Sequence, residues 1–388
     1  MKTLSKMQQI PNSFGSRSSN RSTPSFFSIF APTTIAALFF VFLPSPLRAQ
    51  FAYVANADSG NVSAYSVGSN GALTPLPDSP FAAGIETFSV AVDPSAKFVY
   101  AANFSGNNIS AYNIGSNGAL TPLPGSPFPT QEGPVAVAVD PTGRFAYVAT
   151  TISNDISAYK IGSNGTLTPM QGSPFAAGVA PVSVAIAPGT RFAYVANKIG
   201  NSVSAYLITS DGALLPIPGS PFAAGIGSYS VTVDPTGKFA YVVNAGDDSI
   251  SAYNIGPNGA LTPIPGSPFT TGNSPAKMAV DPTARFAYVP NAGDDSVSAY
   301  TIGPNGALTP IPGSPFATGN SPIAAAVDPL GKFALIANKL GNNVSAYGIE
   351  PNGALMPVPS SPFAAHIEPV SVEFIRSPQS TTSTPTAP

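Results

Sequence analysis

An all-β, seven-bladed β-propeller of four-stranded antiparallel blades is the fold this sequence predicts, and three observations carry that prediction. The run Phe51-Ala-Tyr-Val-Ala-Asn56 recurs with small changes at Phe98, Phe145, Phe192, Phe239, Phe286 and Phe333, always at an interval of 47 residues. Each unit breaks into four short β-prone runs separated by Pro, Gly, Asn and Asp turns, which is how a propeller blade reads. The ends are out of phase with the unit: the repeat opens on a second strand and finishes on a lone first one. A β-solenoid also stacks repeats, but its coils are shorter.

The unit that begins at Ser230 shows why each element forms. Ser230-Val-Thr-Val233 is a short first strand, and Asp234-Pro-Thr-Gly237 is a tight turn with Asp, Pro and Gly at their favoured places. Phe239–Asn244, aromatic and β-branched, is the second strand. Ala245-Gly-Asp-Asp248 is a loop, Ser249–Tyr253 the third strand, Pro257-Asn-Gly259 a turn, and Ala260–Pro265 a fourth, proline-bearing strand. Proline has no N–H to give a ladder, so this run belongs at the outer edge. There it also blocks pairing between molecules. The first strand has the opposite need. Positions 89, 136, 183, 230, 277, 324 and 371 read Ser, Ala, Ser, Ser, Lys, Ala, Ser; two residues on they read Ala, Ala, Ala, Thr, Ala, Ala, Glu. Small side chains there let seven first strands converge on an axis. The last strand, Val370–Ile375, should complete the blade begun at Phe51, a 3+1 closure of the ring.

Three segments follow: an export signal at 1–49, the propeller at 50–376, and a Ser/Thr/Pro tail at 377–388 that reads as disordered. No acid precedes residue 51, whereas Lys2, Lys6, Arg17, Arg21 and Arg48 do. Nine apolar residues, Ile35–Leu43, then Pro44-Ser-Pro46 and Ala49 complete the order of a secretory signal. The apolar run is shorter than the roughly 20 residues a spanning helix needs. The sequence therefore predicts a secreted, periplasmic or cell-surface monomer with no membrane span after cleavage.

Composition removes whole classes of chemistry. There is no cysteine, so no thiol or zinc-cysteine site, and the one histidine, His366, excludes a multi-histidine centre. A formal charge of −2 gives no nucleic-acid footprint, and no cofactor is required. Strand direction places the turns after first and third strands on a lower face, the other loops on an upper one. The lower turns pair Asp93 with Lys97, Asp140 with Arg144, Asp234 with Lys238, Asp281 with Arg285 and Asp328 with Lys332, which read as capping and solubilising charges. Blade four has Ala187 in place of that acid, opposite Arg191.

The upper loops carry Asp58, Asp155, Asp247, Asp248, Asp294, Asp295, Glu86, Glu132 and Glu368 against Lys198, Lys277 and Lys339. Such a face attracts cations. Calcium is a candidate ligand at Asp247-Asp248 and Asp294-Asp295, because hard cations prefer carboxylate and carbonyl oxygens, although no EF-hand spacing is present. One set of residues breaks the repeat in a way that suggests an axial catalytic site. His366 replaces a glycine, Glu368 aligns with Glu86, Glu373 replaces an alanine or threonine, and Lys277 replaces a serine or alanine. A histidine beside carboxylates can act as general base for water attack on a lactone. The alternative is that His366 sits on a solvated seam and Glu373 is the irregularity of a terminal repeat.

The pattern SVAVDPTGKFAYVxN followed by SxSAYxIGxNGALTPIPGSPF resembles the YVTN-type and lactonase-family seven-bladed propellers, over essentially the whole chain after the signal. The resemblance implies one of three roles: 6-phosphogluconolactonase-like hydrolysis, muconate cycloisomerisation, or a surface protein without chemistry. It also implies a channel-mouth site of histidine, acid and arginine. Here Arg144, Arg191 and Arg285 fall in lower turns and Arg376 follows the last strand, so a phosphorylated lactone lacks a guanidinium clamp. The expected function is a binding or cell-envelope scaffold whose acidic upper face takes a protein or carbohydrate ligand. A sugar-lactone hydrolase is second, and a surface-layer protein third.

Overall fold

The computed structural model describes residues 50–376; the export segment and the tail lie outside the described residues. Among the described residues no helix is long and apolar enough to cross a membrane. The 47-residue units form seven antiparallel sheets, each ordered first to fourth strand. Their first strands neighbour one another in a closed ring: Pro369–Arg376 of blade 1, then Thr87–Val92, Pro134–Val139, Pro181–Ile186, Ser228–Val233, Ala279–Val280 and Pro322–Val327 of blades 2 to 7. Blade 1 closes as the sequence predicts, with Gln50 opposite Arg376 and Tyr53 opposite Glu373.

The fourth edge differs from the expected six-residue strand. Leu261–Pro263 pairs with one end of the third strand and Phe269–Thr270 with the other. Pro265 and Pro268 lie between them and have no N–H to offer. The gap is filled by Ser267, whose Oγ accepts the Ala252 N–H at 2.9 Å. The same serine-to-backbone bond recurs in all seven blades.

The core lies between blades. Val62 and Ala64 of blade 1, for example, pack with Val99 and Ala101 of blade 2. Tyrosines staple the seams as well: Tyr241 donates to Gly306 O at 2.9 Å and Tyr253 to Ala223 O at 2.6 Å, so blade 5 is tied to both neighbours. Thirteen of the 14 tyrosines make such bonds, and Tyr229 alone does not.

The lower-face acids are not the solubilising partners that their spacing suggests. Asp234 is fully buried; Oδ1 accepts the N–H of Lys238 and Phe239, and Oδ2 that of Thr236, at 2.7–3.0 Å. A carboxylate next to such amides is already satisfied and leaves the lysine in solvent. Among the described residues the one ion pair is Lys339–Glu368, on the upper face.

Candidate functional site

The site begins where first strands meet. Their inner edges leave N–H groups free, and a serine on the neighbouring strand takes them. Ser89 Oγ accepts from Val137 N, Ser183 Oγ from Val231 N and Ser371 Oγ from Val90 N, at 3.2–3.4 Å. Lys277 occupies this serine position in blade 6. There the seam to blade 7 is made by backbone instead: Lys277 N–H donates to Ile323 O and Ala325 N–H to Lys277 O, both at 3.1 Å. The first strand of blade 6 keeps Ala279–Val280 in its ladder and is otherwise reduced to an isolated bridge between Pro275 and Asn291. Freed from the seam, the lysine side chain crosses the axis. Its Nζ donates to Phe88 O of blade 2 and Val370 O of blade 1, each at 3.3 Å. Protein surrounds most of the ammonium, which keeps one side on the channel mouth, and the lost hydration lowers its pKa to about 8.

Lys277 is also part of the lining of a 440 Å³ cavity at the upper mouth of the channel. The second residue of each first strand is bulged out of register, for instance between Thr87 and Ser89, and this turns Phe88, Val135, Val182 and Tyr229 toward the mouth. Phe104 and Ile199, from loops after second strands, complete the wall. The Phe88 and Phe104 rings stand 5.4 Å apart, tilted by 54°. The Lys198 ammonium lies 5.4 Å from the centre of the Tyr229 ring, within cation–π range. No carboxylate lines this cavity.

Glu373 projects from the same kind of strand farther down the channel. It is reachable by water along the axis yet surrounded by protein, and poor solvation raises its carboxyl to about 7. It makes no ion pair with Lys277.

His366, Glu368 and Glu86 stand on the rim. In blades 2, 4 and 5 a glycine at the His366 position donates its N–H to an asparagine Oδ1 at 3.0–3.1 Å. A Cβ on those glycines would come within 2.5–2.6 Å of the asparagine Cγ. His366 has that Cβ, and the matching Asn56 Oδ1 is buried without a partner. The imidazole itself is exposed. Glu368 pairs with Lys339 at 3.4 Å, and Glu86 accepts from Ser105 Oγ. The five residues nominated for catalysis thus divide: two in the channel, three on the rim, with no hydrogen bond or ion pair joining any two of them.

The family model described as a seven-bladed lactonase β-propeller matches residues 40–264 and 129–353. This chain belongs to that lactonase family. A search of curated proteins gives no match. Similar solved structures include a candidate 6-phosphogluconolactonase of Bacteroides uniformis, at 19% identity, a TM-score of 0.75, and coverage of 85% of this chain and 100% of that one. A second, from Bacteroides fragilis, shows 19% identity and a TM-score of 0.74 over 86% and 99% of the two chains. The periplasmic gluconolactonase PpgL of Pseudomonas aeruginosa shows 16% and 0.73 over 85% and 100%. At such identities the likeness is one of fold.

This lactonase-family chain uses its upper aspartates for loop geometry. Asp248 and Asp295 accept the N–H of Ser274 and Ser321 in the next blade at 2.8 and 2.7 Å, the bond that Asn107 makes to Gly133. Asp247 and Asp294 accept from Ile226 N and Asn273 N at 2.9 and 2.7 Å. Among the described residues no three acid or histidine groups gather as a metal site. Charged departures from the repeat point to Lys277, whereas aromatic and aliphatic ones build the cavity wall. Tyr229, the one tyrosine out of register with the other thirteen, was the available signal.

Proposed function

We propose that this lactonase-family propeller binds a lactone in the channel-mouth cavity and opens it with water, the Lys277 ammonium receiving the carbonyl oxygen. The observation that carries this reading is the lysine's position. An ammonium has three donors; the carbonyls of Phe88 and Val370 take two, and the third is left for the cavity. As the water oxygen bonds to the carbonyl carbon, negative charge grows on the carbonyl oxygen, where a fixed ammonium stabilises it. The ring C–O bond then breaks and a proton from the water ends on the ring oxygen, giving the hydroxy acid. The cavity lining has no guanidinium to clamp a phosphate bidentately, which supports an unphosphorylated substrate. The basic, acid-free segment 1–49 supports action outside the cytoplasm. A scaffold role for the acidic rim has less support, because Asp247, Asp248, Asp294 and Asp295 already serve as acceptors for backbone amides.

The test is proton release from glucono-1,5-lactone, its 6-phosphate and simple alkyl lactones, above the spontaneous rate. Lys277→Met should lower kcat/KM at least about 100-fold, the scale of losing one oxyanion donor. Because burial lowers the lysine pKa to about 8, the enzymatic rate should fall as pH rises through that value. Full activity in Lys277→Met, or no turnover of any lactone, sinks the proposal.

A further inference from the structure

We infer that the lactone taken by this site is apolar, bearing an alkyl or acyl chain rather than a ring of hydroxyls; the inference rests on the lactone reading above. Sugar hydroxyls must be paired when buried, and each one left without a partner costs binding. They need acceptors as well as donors. The cavity side chains include no carboxylate and no amide: its charged groups, Lys198 and Lys277, only donate, and only the Thr151 and Tyr229 hydroxyls can accept. The remaining wall is Phe88, Phe104, Val135, Ala180, Val182 and Ile199. A carbonyl fits the ammonium, and a hydrocarbon body fits the rest.

The surface around the mouth continues the same chemistry. Ile85, Ile152, Val179, Ile199, Ile226 and Ile367 stand on the upper loops, each more than half exposed. Ile199 belongs both to this crown and to the cavity wall. Gly200 N–H donates to Val179 O at 3.1 Å, so the two loops of blade 4 present their aliphatic side chains from neighbouring backbone. Exposed apolar surface at the rim of a cavity marks a binding surface. A chain leaving the lactone ring at Lys277 has a continuous apolar path across Val182 to Ile199 and out over the blade-4 loops.

The experiment compares kcat/KM for γ-butyrolactone, γ-hexalactone, γ-nonalactone and glucono-1,5-lactone, with thermal shifts for the same compounds. Catalytic efficiency should rise about two- to fourfold per added methylene while the chain stays against the wall. Ile199→Ser, at an exposed position that folding tolerates, should flatten that dependence. Glucono-1,5-lactone turned over as well as γ-nonalactone would overturn the apolar assignment and leave the lactonase reading standing. A thermal shift that grows with chain length, without turnover of any lactone, would uphold the apolar site and overturn the hydrolase. No shift and no turnover would overturn both.

Discussion

His366 and Glu373 are the residues whose departure from the repeat has a measurable energetic consequence. At the position of His366, blades 2, 4 and 5 use glycine to bring a backbone N–H against a buried asparagine; the histidine Cβ prevents this and Asn56 Oδ1 is orphaned. A buried unpaired acceptor costs about 1–3 kcal/mol, while a glycine costs about 0.5–1 kcal/mol in chain entropy. His366→Gly should therefore stabilise the propeller by about 1 kcal/mol and raise Tm by roughly 2 °C, read by calorimetry. A lower Tm would mean that the orphaned acceptor is satisfied another way. Glu373 acts through pH. Its carboxyl is raised from 4.5 to about 7 in the folded protein, so between those values the folded state holds a proton that the unfolded chain has lost. The contribution of this group to stability must fall as pH rises through that window and stay low above it. Glu373→Gln should match the parent Tm near pH 4.5 and exceed it increasingly up to pH 7, then keep a constant gap. A gap independent of pH would show that the carboxyl is not perturbed.

At the scale of elements, the strands were legible because their chemistry repeats, and the cavity was not because its chemistry does not. Second and third strands could be placed to within a residue or two from Phe239–Asn244 and Ser249–Ile255, where aromatic and β-branched residues alternate between two packed seams. The proline-bearing run Ala260–Pro265 correctly marked the outer edge, but its length was overread: a ladder needs N–H donors, and Pro265 and Pro268 supply none. In the first strands, small residues make room for convergence on the axis. They have a second purpose that spacing cannot reveal, since Ser89, Ser183 and Ser371 bond amides on other strands about one repeat or six repeats away. Replacing that serine by Lys277 shortens the blade-6 strand and moves a cation across the axis. The substitution stood out in the sequence; the carbonyls of Phe88 and Val370 that receive it did not, because backbone atoms leave no compositional trace. The cavity likewise draws on residues from blades 2 to 6. The bulge in the first strands, invisible in one-dimensional spacing, turns Phe88, Val135, Val182 and Tyr229 to a common mouth.

At the scale of the molecule, the offset between chain ends and blades determines how the ring holds together. Pro369–Arg376 pairs along all of Gln50–Asn56 and also packs against the first strands of blades 2 and 7. It therefore completes one blade and two seams. One of those seams is already the weaker, because Leu335 of blade 7 stands where six other blades donate a tyrosine hydroxyl to the next blade. A chain ending at Ala364 would leave Gln50–Asn56 as a free, apolar edge strand, a template for pairing between molecules. It should lose cooperative melting and elute as large oligomers in size-exclusion chromatography. A circular permutant separates that strand's pairing from the way the chain delivers it. It begins at Ala365 and ends at Ala364, with Phe374 joined to Phe51 through the Asp234–Lys238 sequence that makes the same connection in blade 5. Every blade then folds from consecutive strands, and the contacts that remain are native. The permutant should be monomeric and melt within about 5 °C of the parent, since a loss of one or two kcal/mol moves Tm by only a few degrees in a domain this large. If the permutant also aggregates, the 3+1 crossover itself, and not the presence of a paired strand beside Gln50–Asn56, is what keeps the seven blades closed.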